Sequence, residues 1–169
     1  MPDSLSPLSD SERRHLLAAF AQDDSFPSKV AHTIFSTGAH PVVLARPGSH
    51  RLHLEDGTLV WNRPKTGRLI AVPVDPSIAP WLPSLIEELR EARFHPVRIN
   101  QLVHAFGEKW GLPGLTPRGL RHDFANRAVE SQGLIAAREL TGTTTEVLMG
   151  YARRELSKQA ARDPKGLFG

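Results

Sequence analysis

Residues 1–8 show no periodic apolar pattern and read as a flexible lead-in. Ser9-Asp10-Ser11-Glu12 then forms a capping box, and Leu16, Leu17 and Phe20 recur at helical spacing, predicting a helix that stops near Asp23. Pro27 suits the first turn of a second helix carrying Val30, Ile34 and Phe35, with Gly38 able to end it at positive φ. A β region follows. Arg51 to Leu54 and Thr58 to Trp61 flank Asp56-Gly57, a hairpin turn, and Leu69 to Val72 makes a third short strand after Lys65-Thr66-Gly67. Helical spacing returns from Ser84 to Phe94 through Leu85, Ile86 and Leu89, and again from Ile99 to Trp110 before Gly111 and Pro113 break it. Thr116-Pro117 opens another helix through Leu120, Phe124, Ala125 and Ala128; Gly133 separates it from a shorter one over Leu134 to Leu140. Thr143, Thr144 and Thr145 are capping residues for a last helix from about Glu146 to Arg162. The pattern predicts an α+β chain, predominantly helical: a helix bundle with a small three-stranded antiparallel sheet.

Composition narrows the class without choosing a function. At 169 residues, 40% hydrophobic and 23% charged, the chain is long enough for one well-buried core. No apolar run approaches the ~18 residues of a membrane span, and the polar start has no signal-peptide character, so a cytoplasmic protein away from membranes is expected. The lack of cysteine removes disulfides, thiol nucleophiles and thiolate metal sites. A formal charge of +3 favours a polyanionic partner only if the positive charge is focused in one place.

Three segments carry candidate chemistry. Tyr151, the sole tyrosine, stands on the last helix just before Arg153 and Arg154; by itself, with Val147 one turn earlier, it reads as a half-buried aromatic. Thirty residues upstream, Arg118 and Arg121 share one face of a helix whose start at Thr116-Pro117 points backbone donors at an anion. Guanidinium forks match phosphate oxygens and stay charged, although an isolated Arg-x-x-Arg is ordinarily a solvated face. Lys65, at a turn between two strands, adds a third cation that can enter a DNA groove or protonate a leaving oxygen.

Together these segments resemble the catalytic domain of the tyrosine recombinases, the phage-integrase family, over about Ser9 to Arg154. Ser36-Thr37-Gly38-Ala39-His40 resembles the family's Thr-Gly-x-Arg segment, Lys65-Thr66-Gly67 its strand-turn lysine, and Leu120-Arg121-His122 its Leu-Arg-His signature. Leu148-Met149-Gly150-Tyr151-Ala152-Arg153 is similar to its nucleophile helix. The resemblance implies a catalytic domain at 9–154 and a C-terminal tail at 155–169 available for a protomer contact. It also implies a site-specific recombinase acting on double-stranded DNA as a homo-oligomer, with no metal and no small-molecule cofactor. Tyr151 would attack a backbone phosphate to leave a 3′-phosphotyrosyl link and a free 5′-hydroxyl, Arg121 would clamp the phosphate, Lys65 would serve as general acid, and His122 would support the arginine helix.

Three positions depart from that pattern. His40 replaces the first arginine, with Arg46 nearby as a substitute; if charged His40 contacts phosphate, cleavage should rise as pH falls from about 8 toward 6. Arg118 replaces the usual histidine and cannot act as a base. Gly142 stands nine residues before the tyrosine, where histidine or tryptophan is usual, with the Thr143 hydroxyl beside it. The family's separate DNA-clamping domain has no counterpart in these residues, so weak and strongly salt-dependent DNA binding is expected.

Two rival readings follow from the residues. His50, His53, Glu55 and Asp56 lie close together, as in a metal-dependent nuclease, yet an extended Arg51 to Leu54 would turn His50 and His53 to opposite faces. A non-enzymatic DNA-binding regulator on the recombinase fold is the other, favoured by His40 and Gly142. Target sequence, and the choice among integration, excision and resolution, depend on docked geometry rather than on these motifs.

Overall fold

In a computed structural model, residues 8–142 and 147–150 are described. The segments 1–7, 143–146 and 151–169 lie outside them, and with them most of the expected lead-in, Tyr151, Arg153, Arg154, the Thr143 to Thr145 cap and the tail. Val147 to Gly150 are helical. The chain divides into two compact units, one ending at Phe124 and one beginning at Ala125.

The first unit opens with α1 (Asp10–Gln22), capped as expected: the Ser9 hydroxyl accepts from the Glu12 N–H at 3.1 Å while the Glu12 carboxylate accepts from the Ser9 N–H at 3.0 Å. Helix α2 (Phe26–Thr37) has Pro27 in its first turn and ends at Gly38, whose φ is 70°. A short helix not visible in the apolar pattern, α3 (Pro41–Ala45), comes next. It is too short for periodicity to register, and its proline start reads equally well as an extended segment.

The sheet has the order β1-β2-β3, antiparallel throughout, with β1 (His53–Glu55), β2 (Thr58–Asn62) and β3 (Leu69–Pro73). Asp56 and Gly57 both take positive φ, 48° and 76°, as a two-residue primed turn requires. Strand β1 begins two residues later than the expected Arg51. The Arg51 backbone is left-handed (φ 52°), and the Leu52 N–H donates to the Pro47 carbonyl at 2.9 Å, so this stretch closes a turn before it can pair. In register, Leu54 faces Leu59 and Trp61 faces Ile70.

Helices α4 (Leu82–Ala92) and α5 (Pro96–Lys109) follow, then α6 (Pro117–Gln132). Helix α5 packs against both α2 and α3. Leu16, Ile34, Leu44, Leu59, Leu89 and Phe106 are fully buried in the core of the first unit, which ends along the chain with Leu120 and Phe124 of α6. Asp23 ties the α1–α2 junction to the end of α5, accepting from Lys109 Nζ at 3.0 Å and Trp110 Nε1 at 2.8 Å. Burial opposes its charge, but these bonds and those from Ser25 outweigh it and hold the carboxyl well below the usual range.

The second unit, described by itself, holds the rest of α6, α7 (Leu134–Thr141) and a smaller core of Ala125, Ala128, Val129, Ala137 and Leu148. Among the described residues no helix is long and apolar enough to cross a membrane.

Candidate active site

Three segments far apart in sequence meet in one cleft of the first unit, about 800 Å³ in volume. From the end of α2 and the start of α3 come His40 and Pro41; from the β2–β3 turn, Arg63 and Lys65; from the start of α6, Arg118 and Arg121. His122 also lines it. The described lining contains no carboxylate, so its cations make the cleft locally positive.

Arg121 is the best-held member. Its Nε donates to the Gly38 carbonyl at 3.3 Å and its Nη2 donates to His40 Nε2 at 2.9 Å. The Gly38 turn can come this close because it lacks a side chain: a Cβ there would sit 2.5 Å from Phe124 Cδ1. Thr37 completes the turn, its hydroxyl donating to the Thr33 carbonyl at 2.6 Å and accepting from the Ala39 N–H at 3.3 Å. On the α6 side, Thr116 caps the helix by accepting from the Gly119 N–H at 3.0 Å, and buried Asp123 receives Arg13 of α1 at 2.8 and 3.4 Å. Arg121 therefore projects from a helix anchored at both its cap and its second turn.

His40 is neutral. Arginine offers only donors, so the Nε2 that Arg121 meets must be the unprotonated nitrogen, leaving the ring proton on Nδ1. Burial, followed by the positive charges of Arg121, Arg63, His50 and Lys65, pushes its pKa down to about 3. The expectation of a charged His40 gaining activity between pH 8 and 6 loses its basis, because the imidazole stays uncharged across that window. His40 instead accepts from Arg121 and orients it.

Lys65 is exposed at the turn, and Arg118 is exposed on the first turn of α6. Neither makes a hydrogen bond or ion pair among the described residues, which leaves both heads available to a ligand. Arg46 does not join this cleft. It lines a separate one beyond the far end of α3, so its suggested substitution for the family's first arginine does not hold. Two lining residues, Asn100 and His104 of α5, escaped the sequence reading. Ile99, Leu102, Val103 and Phe106 of that helix are buried, and a polar pair one turn apart on its other side was the available signal.

The metal-site rival finds no support in geometry. His53 Nδ1 bonds the Arg51 carbonyl at 2.7 Å and its Nε2 meets Glu55 at 3.2 Å, so both ring nitrogens are occupied. Among the described residues no group of three or more histidine and acidic side chains could hold a metal ion.

No family model and no curated protein matches the sequence. Solved structures do match. The XerH site-specific recombinase bound to its difH substrate, in a pre-cleavage complex, aligns over 91% of this chain and 52% of its own, with a TM-score of 0.64 at 19% identity. A lambda integrase dimer bound to a COC′ core site aligns over 86% of this chain and 58% of its own (TM-score 0.61, 19% identity). A lambda integrase tetramer bound to a Holliday junction aligns over 82% and 47% (TM-score 0.55, 17% identity). The fold is that of the tyrosine-recombinase catalytic domain. The chain spans about half the length of these recombinases. Within the recombinase fold, the cleft draws on three of the four segments that carry the sequence resemblance: the Thr-Gly turn, the strand-turn lysine and the Leu-Arg-His helix.

Proposed function

We propose that this chain is a site-specific DNA recombinase of the integrase type, cutting and rejoining double-stranded DNA through Tyr151 and working as a homo-oligomer on its site. The observation that carries this reading is the convergence of Lys65, Arg118 and Arg121 in one cleft whose described lining holds no carboxylate. Such a site suits a phosphodiester whose charge grows during attack. The structural neighbours, which are recombinases bound to DNA, supply independent support at the level of fold.

In this mechanism the Tyr151 oxygen attacks a backbone phosphorus and gives its proton to solvent water. The bond from phosphorus to the 5′-oxygen breaks, and that oxygen takes a proton from Lys65. Arg121 and Arg118 hold the non-bridging oxygens, with His40 keeping Arg121 in orientation. The bond energy remains in the 3′-phosphotyrosyl link, so rejoining reverses the step and needs neither metal nor nucleotide.

The test uses a duplex nicked just 3′ of the cleavage position, from which the short product strand escapes and leaves the covalent adduct trapped. A protein–DNA band on a denaturing gel that vanishes in Tyr151→Phe is the expected result. A second reading, a DNA-binding regulator that has lost the chemistry, is favoured by neutral His40 at the first-arginine position. Absence of the band on DNA that the protein demonstrably binds would select it.

A further inference from the structure

A second cleft, about 660 Å³, opens between the loop after α3 and the junction of α4 with α5. Arg46, Arg90, Arg93 and His95 line it, over Phe94 and Pro47. Three arginines at one cavity repel each other, an arrangement that an anion relieves. Arg90 is held in place, its Nη1 on Glu87 at 2.8 Å and its Nη2 on the Leu52 carbonyl at 2.9 Å. Arg46 and Arg93 are exposed and their guanidinium groups make no hydrogen bond or ion pair among the described residues, so Glu87 offsets only one charge of the three. Arg93 occupies a left-handed backbone position (φ 50°) that glycine or asparagine fills at lower cost. The N-terminus of the 14-residue α5 opens on the same cleft through His95 and adds partial positive charge.

The two clefts are linked by the same two helices. Helix α3 runs from His40 and Pro41 in the first to Ala45 and Arg46 in the second, and α5 runs from His95 in the second to Asn100 and His104 in the first. At 1.5 Å per residue these paths are roughly 9 Å along α3 and roughly 13 Å along α5. Phosphates on one strand wind round the duplex as well as rising about 3.4 Å per step along it, so this separation places the second cleft roughly two nucleotides from the first.

We infer that the Arg46–Arg93 cleft is a second phosphate subsite, which grips the backbone of the duplex whose scissile phosphate occupies the first cleft. It rests on the recombinase reading above. Its role is affinity and register, since a phosphate contact fixes the protein on the duplex without reading sequence.

The test is the salt dependence of binding to duplex DNA. In Arg46→Gln/Arg93→Gln the slope of log K against log salt should fall by about 0.9, the loss of one phosphate contact, making binding about eightfold weaker at 0.1 M salt on unrelated duplexes alike. Arg46→Lys/Arg93→Lys keeps the charge and should keep the wild-type slope, which separates charge loss from damage to the fold. Arg14→Gln, an exposed charge on α1 outside both clefts, should also leave it unchanged. An unchanged slope in the double glutamine variant, with wild type binding DNA, overturns the subsite and leaves the recombinase reading intact. Failure of the wild type to bind duplex DNA at low salt overturns both. Calorimetry with inorganic phosphate covers the remaining case: saturable binding lost in the glutamine variant, with an unchanged DNA slope, means a small-anion pocket and overturns the DNA assignment.

Discussion

His40 shows how a residue's surroundings override its type. Histidine is ordinarily poised to titrate near neutrality, but here burial and the cations around it push the pKa to about 3 and leave Nε2 as an acceptor for Arg121. Adduct formation should therefore show no rise attributable to His40 between pH 8 and 6. The sharper expectation concerns the acceptor. His40→Gln, which keeps a carbonyl oxygen for Arg121, should retain most activity, whereas His40→Leu should lose on the order of 10²-fold in cleavage rate through misplacement of the guanidinium. Equal losses in the two variants, or a glutamine variant that fails while binding DNA normally, would remove the positioning role. Lys65, Arg118 and Arg121 were legible in the sequence because arginine and lysine keep their charge in almost any setting. The part played by His40, the exclusion of Arg46 from the cleft and the presence of Asn100 and His104 were not legible, since each depends on which elements lie next to it.

At the scale of elements, local signals account for most of what formed. The Ser9–Glu12 capping box, Pro27 in the first turn of α2 and the Asp56-Gly57 turn each carry their own physical cause within four residues. Helix α3 and the delayed start of β1 lacked such a signal; α3 lies against α5, and β1 waits for the turn that Pro47 and Leu52 close. Gly38 joins the two levels. Its positive φ ends α2, and its missing side chain admits Phe124 of α6, which brings Arg121 within reach of the Gly38 carbonyl. Gly38→Ala should destabilise the protein by about 2–3 kcal/mol, combining the left-handed backbone with overpacking against Phe124. Denaturant midpoints measure this directly, and a shift below about 0.5 kcal/mol would show that Phe124 moves aside at little cost. The same variant, at a temperature where it stays folded, should also cleave more slowly.

For the whole molecule, pH is the most informative variable. Buried His32 stacks on Phe20 with ring centroids 4.1 Å apart, and burial lowers its pKa to about 4 despite the opposing influence of Asp75. His40 shifts in the same direction. Both are neutral when folded and gain a proton on unfolding, so their contribution to stability is present above about pH 6.5 and is lost as pH falls toward the folded values. For His32 alone the loss approaches about 3 kcal/mol near pH 4. Thermal unfolding followed from pH 7 to 4 should show a steep acid limb, made shallower in His32→Phe; an unchanged limb in that variant would assign the acid sensitivity elsewhere. The sequence by itself determined the helical class, the three-stranded sheet and the identities of the charged candidates, because apolar period, caps, turns and permanent charge act over a few residues. Only the tertiary structure decided that residues 40, 65 and 121 share one cleft, that His40 is uncharged there, and that Arg46 belongs to a second cleft. Proximity across some eighty residues of chain, and the desolvation that comes with it, have no local signature.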